Sequence, residues 1–527
     1  MEISQSNVWQ RLNKPADLDL YSREVLVQVA REKIDGRDFK AAKRVISDLL
    51  SDDHGDPWAL VLWAYMEMES SNYGMAAKLF ERAIDEETGE NLYNLYCCYG
   101  HSLHMLWRHE EAIPVLRRAI AIDHTRPDAW INLACCMLWG GRPAEAIECA
   151  TKALDLDPGS PAAIDNLATA QLALGDWANG WDNYEVGLGG QLRVENHYGD
   201  IPRWEGEPGR VVGVYGEQGL GDELMFASII PDLIRVCDHV IIDCDHRLQE
   251  LFKESFPEAS VYGTRWDMMP LWREDAMPEF KVSFGTLGKF FRRADEDFPG
   301  DAFAKPDLAR DTQWRALFET MNKPVVGIAW TGGVRTTGKR DRDIPLSRWG
   351  SILKHDCHFV DLEYKDRGSE VEASAPEVLR FPWATLDKES YSQTAAIVNN
   401  LDLVITVPTS IVHLAGALGK ECWVLVPKNA PWRFGLQGEG FIWHNSVRLI
   451  RQGEDETWAD VIERVGKDLH EYFCRDGSEK SGAGLGIDVL DTAAVNEACS
   501  VHTAAARPVA VASTGTHGLH VSEVSSP

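Results

Sequence analysis

A repeat of 34 residues runs through the first two hundred residues of the chain and restricts how they can fold. Large and small residues of one unit return 34 positions later in the next: Trp130, Leu133 and Ala134 are followed by Ile164, Leu167 and Ala168. Earlier units keep this phase apart from one two-residue insertion, so five units span residues 23–194. Small residues let two helices approach closely, and large ones fill the gaps between units. The pattern predicts five helical pairs stacked as a solenoid.

The spacing resembles that of tetratricopeptide repeats. That resemblance implies an array with a concave surface for a protein or another large acceptor. Residues 1–22 precede the first unit as an N-terminal extension.

Beyond about residue 210 the pattern changes to apolar, β-branched strands alternating with helices. A first block contains the predicted strands Val211–Tyr215, His239–Asp243 and Lys281–Phe284. A second contains Val325–Trp330, His358–Leu362, Val378–Phe381, Leu401–Val407 and Cys422–Val426. The predicted fold class is therefore α + α/β, with an α-solenoid followed by two Rossmann-like lobes that face a cleft.

Composition excludes several classes of function. A formal charge of −29 on 527 residues disfavours binding to nucleic acid or an anionic membrane. The sequence has no transmembrane run and no signal-peptide core, which predicts a cytoplasmic protein. The eleven cysteines show no metal-binding spacing and are interpreted as free thiols. Residues 474–527 lack aromatic side chains and are predicted to be a disordered tail.

The segment Leu401–Lys420 carries the clearest chemical signal. Its apolar strand leads directly into Thr409 and Ser410, where a helix N-cap belongs, and a helix is predicted over Ile411–Leu418. A helix N-terminus offers free N–H groups and a positive dipole end to a phosphate. The alternative is an ordinary β-turn-α unit. His413, in the first helical turn, either packs or donates to a ligand.

A glycine-rich turn follows the first strand of the first lobe. Gly219 and Gly221 permit close approach of a ligand, but Leu224 replaces the third glycine of a dinucleotide fingerprint. Asp222 either caps the next helix or takes a proton from an acceptor hydroxyl. Asp243 and Asp245 are spaced for a divalent metal, although helix capping also explains Asp245.

Two loops of the second lobe add aromatic and basic groups. Trp330, Thr331 and Gly332 end its first strand, and a loop containing Arg340 and Arg342 follows. Such a loop suits pyrophosphate, or is a solvated loop with internal ion pairs. A later loop brings Trp432 and Arg433 to the same cleft, or anchors one Trp at the surface.

Together these segments resemble the family 9 glycosyltransferases, the ADP-heptose:lipopolysaccharide heptosyltransferase superfamily, fused to tetratricopeptide repeats. The matching segments within residues 210–473 are GEQGLGDELMFASIIPDL, GIAWTGG, RDIPLSRW, FVDLEY, TAAIVNNLDLVITVPTSIVHLAGALGK and PWRFG. The resemblance implies a GT-B fold, with an acceptor-side lobe at residues 200–308 and a donor lobe at 322–473. It also implies metal-independent, inverting transfer from a nucleotide-diphosphate sugar, with no further cofactor.

The resemblance also assigns roles. Asp222 matches the proposed catalytic base, within an acceptor-side loop containing Gly219 and Gly221. The donor-binding positions are Trp330, Thr331, Gly332, Arg340, Arg342, Glu363, Thr409, Ser410, His413, Trp432 and Arg433. The chain departs from the family at Pro408 and Pro431, where an Asp is common.

Three functions remain open at this level. The first is sugar transfer to a glycan or lipid-linked glycan, and the second is protein O-glycosylation with the acceptor bound by the repeats. The third is a non-catalytic scaffold with a degenerate transferase region, which the two prolines favour.

Overall fold

The computed structural model describes residues 23–52, 56–86, 92–190, 193–195, 198–265, 277–333 and 342–475. The predicted N-terminal extension, the tail beyond residue 475 and Arg340 of the basic loop lie outside these ranges.

Ten helices in five consecutive pairs form the repeat array, as predicted. They are α1 Arg23–Asp35, α2 Phe39–Asp52, α3 Pro57–Glu69, α4 Tyr73–Glu86, α5 Leu92–Met105, α6 His109–Ile122, α7 Pro127–Trp139, α8 Pro143–Leu156, α9 Pro161–Ala173 and α10 Trp177–Tyr184. Ala30, Ala64 and Ala134, which share one repeat position, are completely buried. Their small side chains allow the close helix approach that the repeat predicted.

The first lobe comprises residues 198–265 and 277–291. Its four strands are β1 Val211–Tyr215, β2 His239–Asp243, β3 Ser260–Tyr262 and β4 Phe280–Ser283, with helices α11 Leu220–Phe226, α12 Ile230–Val236, α13 Gln249–Ser255 and α14 Leu287–Phe291. The strands are parallel in the order β3-β2-β1-β4. Strands β2 and β3 therefore lie on one side of β1 and β4 on the other, which places the topological switch between β1 and β4. Ligands commonly bind at such a switch, beyond the carboxyl ends of the strands.

The second lobe comprises residues 308–333 and 342–475. Its strands are β5 Val325–Ala329, β6 His358–Asp361, β7 Leu403–Thr406, β8 Cys422–Val426 and β9 Val447–Arg451. Its helices are α15 Leu308–Glu319, α16 Gly350–Leu353, α17 Gly368–Ser374, α18 Pro382–Thr385, α19 Ser392–Asn399, α20 Ser410–Ala417 and α21 Trp458–Arg475. The sheet is parallel in the order β6-β5-β7-β8-β9, so its topological switch lies between β5 and β7.

Three short elements differ from the sequence prediction. The predicted strand Val378–Phe381 is wrong, because only Leu379 makes a single bridge, to Val360. Pro382 starts α18 immediately afterwards, and a proline has no N–H for a ladder. Strands β3 and β9 were not predicted.

The last repeat helix, α10, joins the array to both lobes through Trp181. This side chain is 1% exposed, and its Nε1 donates to the Arg292 carbonyl at 2.8 Å. Its ring centroid lies 6.1 Å from Phe226 of the first lobe and 5.7 Å from Trp432 of the second. One indole thus contacts all three parts of the fold. Among the helices that the structure describes, none has the length and apolarity needed to cross a membrane.

We expect Trp181→Ala to lower the melting temperature and to make the junction after α10 sensitive to protease. Truncating a buried Trp typically costs about 3–5 kcal/mol. Differential scanning fluorimetry and timed proteolysis measure the two effects. Trp383→Ala is the control, since Trp383 is 39% exposed. An equal loss in both variants would contradict the linking role of Trp181.

Candidate functional site

The candidate site lies where loops from the two lobes meet. It follows the carboxyl ends of β1, β5 and β7, the positions at which open parallel sheets usually bind ligands. The first turns of α11 and α20 touch there, since a Cβ on Gly221 would lie 3.4 Å from Ser410 Cα and 3.7 Å from the Cδ2 of His413. Position 221 therefore lies at the contact between the two helix ends, and Asp222 follows it directly.

Asp222 and Arg433 form an ion pair between the lobes. Arg433 Nη2 donates to Asp222 Oδ1 at 2.5 Å, and the two side chains are 20% and 22% exposed. Helix α11 begins at Leu220 with Gly219 as its N-cap, and Asp222 is its third residue. Asp222 is therefore not the N-cap residue itself, and its Oδ1 accepts from a cation across the lobe boundary.

Arg342 is a second buried cation close to this pair. Its Nη1 donates to the Pro408 carbonyl at 3.2 Å, and the residue is 8% exposed. Burial and, to a smaller extent, the positive charge of Arg433 together lower the pKa of Arg342 to about 10. Arg342 still carries its charge at neutral pH. Two guanidinium groups and one carboxylate thus share a site beside the start of α20.

The start of α20 matches the predicted strand-to-helix turn. Thr409 is the N-cap, and its Oγ1 accepts from the Ile411 N–H at 3.2 Å. Ser410 Oγ shares a 3.0 Å hydrogen bond with the hydroxyl of Tyr391. Thr409 therefore orders the helix end, while Tyr391 orients the Ser410 hydroxyl.

His413 is packed inside this helix end. It is 4% exposed, and its ring centroid lies 5.9 Å from Phe441 and 5.7 Å from His444. Burial first, and the charges of His444 and Arg433 next, hold the pKa of His413 well below its usual range. A neutral ring among aromatic neighbours fits the packing interpretation of this residue.

Glu363 supports the loop after β5. Its Oε1 accepts from the N–H groups of Trp330 and Thr331, both at 2.7 Å, and its Oε2 lies 2.5 Å from the Thr331 hydroxyl. Burial raises the pKa of Glu363 to about 7. The family resemblance places Glu363 near the nucleoside of the donor. In this structure both of its carboxylate oxygens accept hydrogen bonds from the protein.

Gly332 brings the loops after β5 and β7 together. A Cβ at this position would lie 2.8 Å from the Pro408 carbonyl oxygen and 3.0 Å from Thr409 Cγ2. Any larger residue would push these loops apart. Pro408 thus contributes a carbonyl to the site, which is the group that Arg342 binds.

Trp432 faces the repeat array. Its ring centroid lies 5.7 Å from Trp181 and 6.2 Å from Tyr184, and the Cζ of Arg433 lies 5.4 Å from its centroid. Trp432 therefore packs edge-to-face against the last repeat helix, and its neighbour, Arg433, contacts Asp222.

Sequence reasoning missed the residues that hold the glycine-rich loop. Tyr184 accepts from Gln218 Nε2 at 2.9 Å, and Arg265 Nη1 donates to the Gln218 carbonyl at 2.7 Å. Arg193 pairs with Glu217 at 3.3 Å. The repeat gave no signal for Tyr184, because earlier units also have large residues at its position, namely Ile46, Phe80 and Leu116.

Asp243 and Asp245 are engaged by protein groups. Asp243 Oδ1 accepts from the Thr264 N–H at 2.9 Å, and its other oxygen accepts from the Tyr198 hydroxyl. Asp245 accepts from Arg247 N at 3.1 Å and pairs with Arg265 at 3.2 Å. These contacts fit the capping interpretation better than the metal alternative.

The fold and site define a tetratricopeptide repeat protein in which the repeats precede a parallel-sheet α/β region. The family model for the tetratricopeptide repeat matches residues 127–160, the α7–α8 unit. The repeats provide the chain with a surface for protein interaction.

The chain is similar in sequence to a known protein over most of its length. Protein FlbA of Caulobacter vibrioides is 27% identical over 519 residues, covering 85% of this chain and 84% of that protein. Among solved structures, MamA is 22% identical over 30% of this chain and 91% of its own, with a TM-score of 0.28. A Pseudomonas aeruginosa pilF structure is 20% identical over 32% of this chain and 77% of its own, with a TM-score of 0.29.

We expect the melting temperature of Glu363→Gln, compared with that of the unmodified chain at the same pH, to increase as the pH rises from about 5 to about 8. The folded pKa of about 7 lies above the ordinary value of 4.5, so stability from the protonated carboxyl is lost as the pH rises through 7. Glutamine keeps the acceptor and cannot ionise. Melting temperatures across that pH range test this, with exposed Glu372→Gln as control. A difference in melting temperature that stays the same at every pH would contradict the raised pKa of Glu363.

Proposed function

We propose that the chain is a GT-B glycosyltransferase that moves a sugar from a nucleotide-diphosphate sugar to an acceptor hydroxyl with inversion. The observation that carries this proposal is the meeting of Asp222 with Arg433 and Arg342 at the lobe boundary. The reaction needs a base for the acceptor and positive charge for the leaving diphosphate, and these three residues supply both.

The proposed step is a direct displacement. The acceptor oxygen forms a bond to the anomeric carbon while the bond from that carbon to the diphosphate oxygen breaks. Asp222 takes the hydroxyl proton, and the electron pair leaves with the nucleoside diphosphate. Arg342, Arg433 and the N-terminal end of α20 stabilise the negative charge that develops on the leaving group.

Arg433 connects donor binding to the state of the base. Before the donor binds, Arg433 donates a hydrogen bond to the Asp222 carboxylate. A diphosphate placed at Arg433 competes for the same guanidinium. We infer that donor binding weakens the ion pair and frees the Asp222 carboxylate to contact the acceptor hydroxyl.

The array is proposed to recruit the acceptor. Tyr184 at its last helix binds the loop that carries Asp222, and Trp432 on the other side of the site packs on the same helix. An acceptor bound to the repeats would therefore lie close to the proposed base. A protein substrate fits this arrangement, because the repeats form a protein-binding surface.

A non-catalytic scaffold is the second candidate. It is favoured by the complete engagement of the Glu363 carboxylate by its own loop, and by Pro408 and Pro431, which cannot supply the carboxylates common in the family. In that case the repeats would bind a partner and the α/β region would have no donor. Titration of the unmodified chain with nucleoside diphosphates separates the two candidates, because a scaffold would bind none.

Asp222→Asn should lower transfer by about 10²- to 10⁴-fold, the usual contribution of a general base, and should leave nucleoside diphosphate binding in place. Turnover is followed as release of nucleoside diphosphate from a panel of nucleotide sugars. Calorimetry with the nucleoside diphosphate measures binding. Unchanged turnover would remove Asp222 from the role of base.

Arg342→Gln should weaken nucleoside diphosphate binding roughly 10- to 100-fold, because a hydrogen bond from a charged donor is worth about 1.5–3 kcal/mol. Arg433→Gln should do the same and should also break the pair with Asp222. The control is Arg348→Gln, since Arg348 is exposed and lies close in sequence to Arg342. If the two site variants bind nucleoside diphosphate as tightly as the Arg348→Gln control does, the anion site lies elsewhere.

A further inference from the structure

Two histidines and a cysteine converge within the repeat array, away from the proposed transferase site. His104 lies in the last turn of α5, His109 is the first residue of α6, and Cys136 lies on α7 of the next unit. One ring nitrogen from each histidine and the Cys136 Sγ all lie within 4.8 Å of one another. His109 and Cys136 are buried, and His104 is half-buried.

The distance between the two histidines fits a shared metal ion. Their Nδ1 atoms are 3.3 Å apart. Two nitrogens that each bind zinc at about 2.0–2.1 Å in a tetrahedron are separated by about 3.3 Å. Cys136 completes a set of nitrogen and sulfur ligands that favours zinc and other thiophilic ions over Mg²⁺ or Ca²⁺.

We propose that His104, His109 and Cys136 form a binding site for a thiophilic divalent metal ion, with zinc as the best-matched ion. The Cys136 thiol loses its proton to solvent as the sulfur–metal bond forms. Three protein ligands leave a fourth tetrahedral position for a water molecule.

The neighbouring Cys135 orients the first histidine. Its Sγ lies 3.4 Å from His104 Nε2, so the ring presents its other nitrogen, Nδ1, to His109. Metal-binding histidines usually have such a contact at the nitrogen that does not bind the ion.

A simple hydrogen bond between the histidines is the competing explanation. It accounts for the 3.3 Å contact between the rings. It does not account for the position of the Cys136 sulfur, which lies within 4.8 Å of a ring nitrogen of each histidine. Cys136 is therefore the observation that favours a metal ion over a hydrogen bond between the histidines alone.

The site would join two repeat units. His104 and His109 flank the turn of the third helical pair, and Cys136 belongs to the first helix of the fourth. A metal ion held by all three would therefore tie neighbouring units together and oppose their separation. The site is separate from the proposed transferase residues, which belong to the two lobes.

The test uses the full chain after chelator treatment and removal of the chelator. Titration with Zn²⁺ should show one tight equivalent and raise the melting temperature. Co²⁺ in its place should give tetrahedral d–d bands and a thiolate-to-cobalt charge-transfer band. Cys136→Ser should abolish the charge-transfer band, and Cys135→Ala should weaken Zn²⁺ binding by about 10- to 100-fold through its effect on His104.

Cys474→Ser is the matched control, because Cys474 is exposed and its Sγ lies 3.8 Å from Nδ1 of His470. This variant should keep the tight equivalent and the cobalt spectrum. Circular dichroism checks that each variant retains its helices. The proposal is overturned if the folded, unmodified chain binds no stoichiometric Zn²⁺, or if the charge-transfer band survives Cys136→Ser and disappears in Cys474→Ser.

Discussion

Burial of the Trp181 indole is the contact on which the arrangement of the whole structure depends. The residue belongs to the last repeat helix, yet its ring packs against Phe226 of the first lobe and Trp432 of the second. Burial of a large aromatic ring contributes more stabilising free energy than burial of a smaller side chain. This contact therefore gives three separate elements one shared core. Tyr184, one helical turn later, then extends the array to the loop that precedes Asp222. The repeats are thus part of the site as well as a surface beside it.

The proposed site is defined by a local reversal of charge. The chain carries a net charge of −29, but Arg342 and Arg433 lie together where the lobes meet. Asp222 offsets part of this charge, and the Pro408 carbonyl binds Arg342. Pro408 was an anomaly in the sequence because it lacks a carboxylate. In the structure its carbonyl helps to orient a cation, which is a function compatible with an anion site.

Local patterns predicted most of the regular structure and part of the site. The strand-to-helix turn at residues 401–420 was predicted nearly in full, with α20 at Ser410–Ala417 where Ile411–Leu418 was expected. A β-branched run followed by a capping residue is a local signal, and so is a helical repeat. The segment Val378–Phe381 failed because a short strand depends on what pairs with it, and Leu379 finds only a single bridge. Strands β3 and β9 were not predicted for the same reason, because short strands depend on their pairing partners.

The sequence alone determined the five helical pairs, the two parallel α/β blocks and the chemical types available at the candidate site, since these depend on periodicity and on neighbours along the chain. The tertiary structure decided how those groups are used. It paired Asp222 with Arg433 across 211 positions, engaged Glu363 with its own loop and brought His104, His109 and Cys136 together from three helices. Side-chain partners depend on how separate elements pack, and that packing is set by burial of surfaces far apart in the chain.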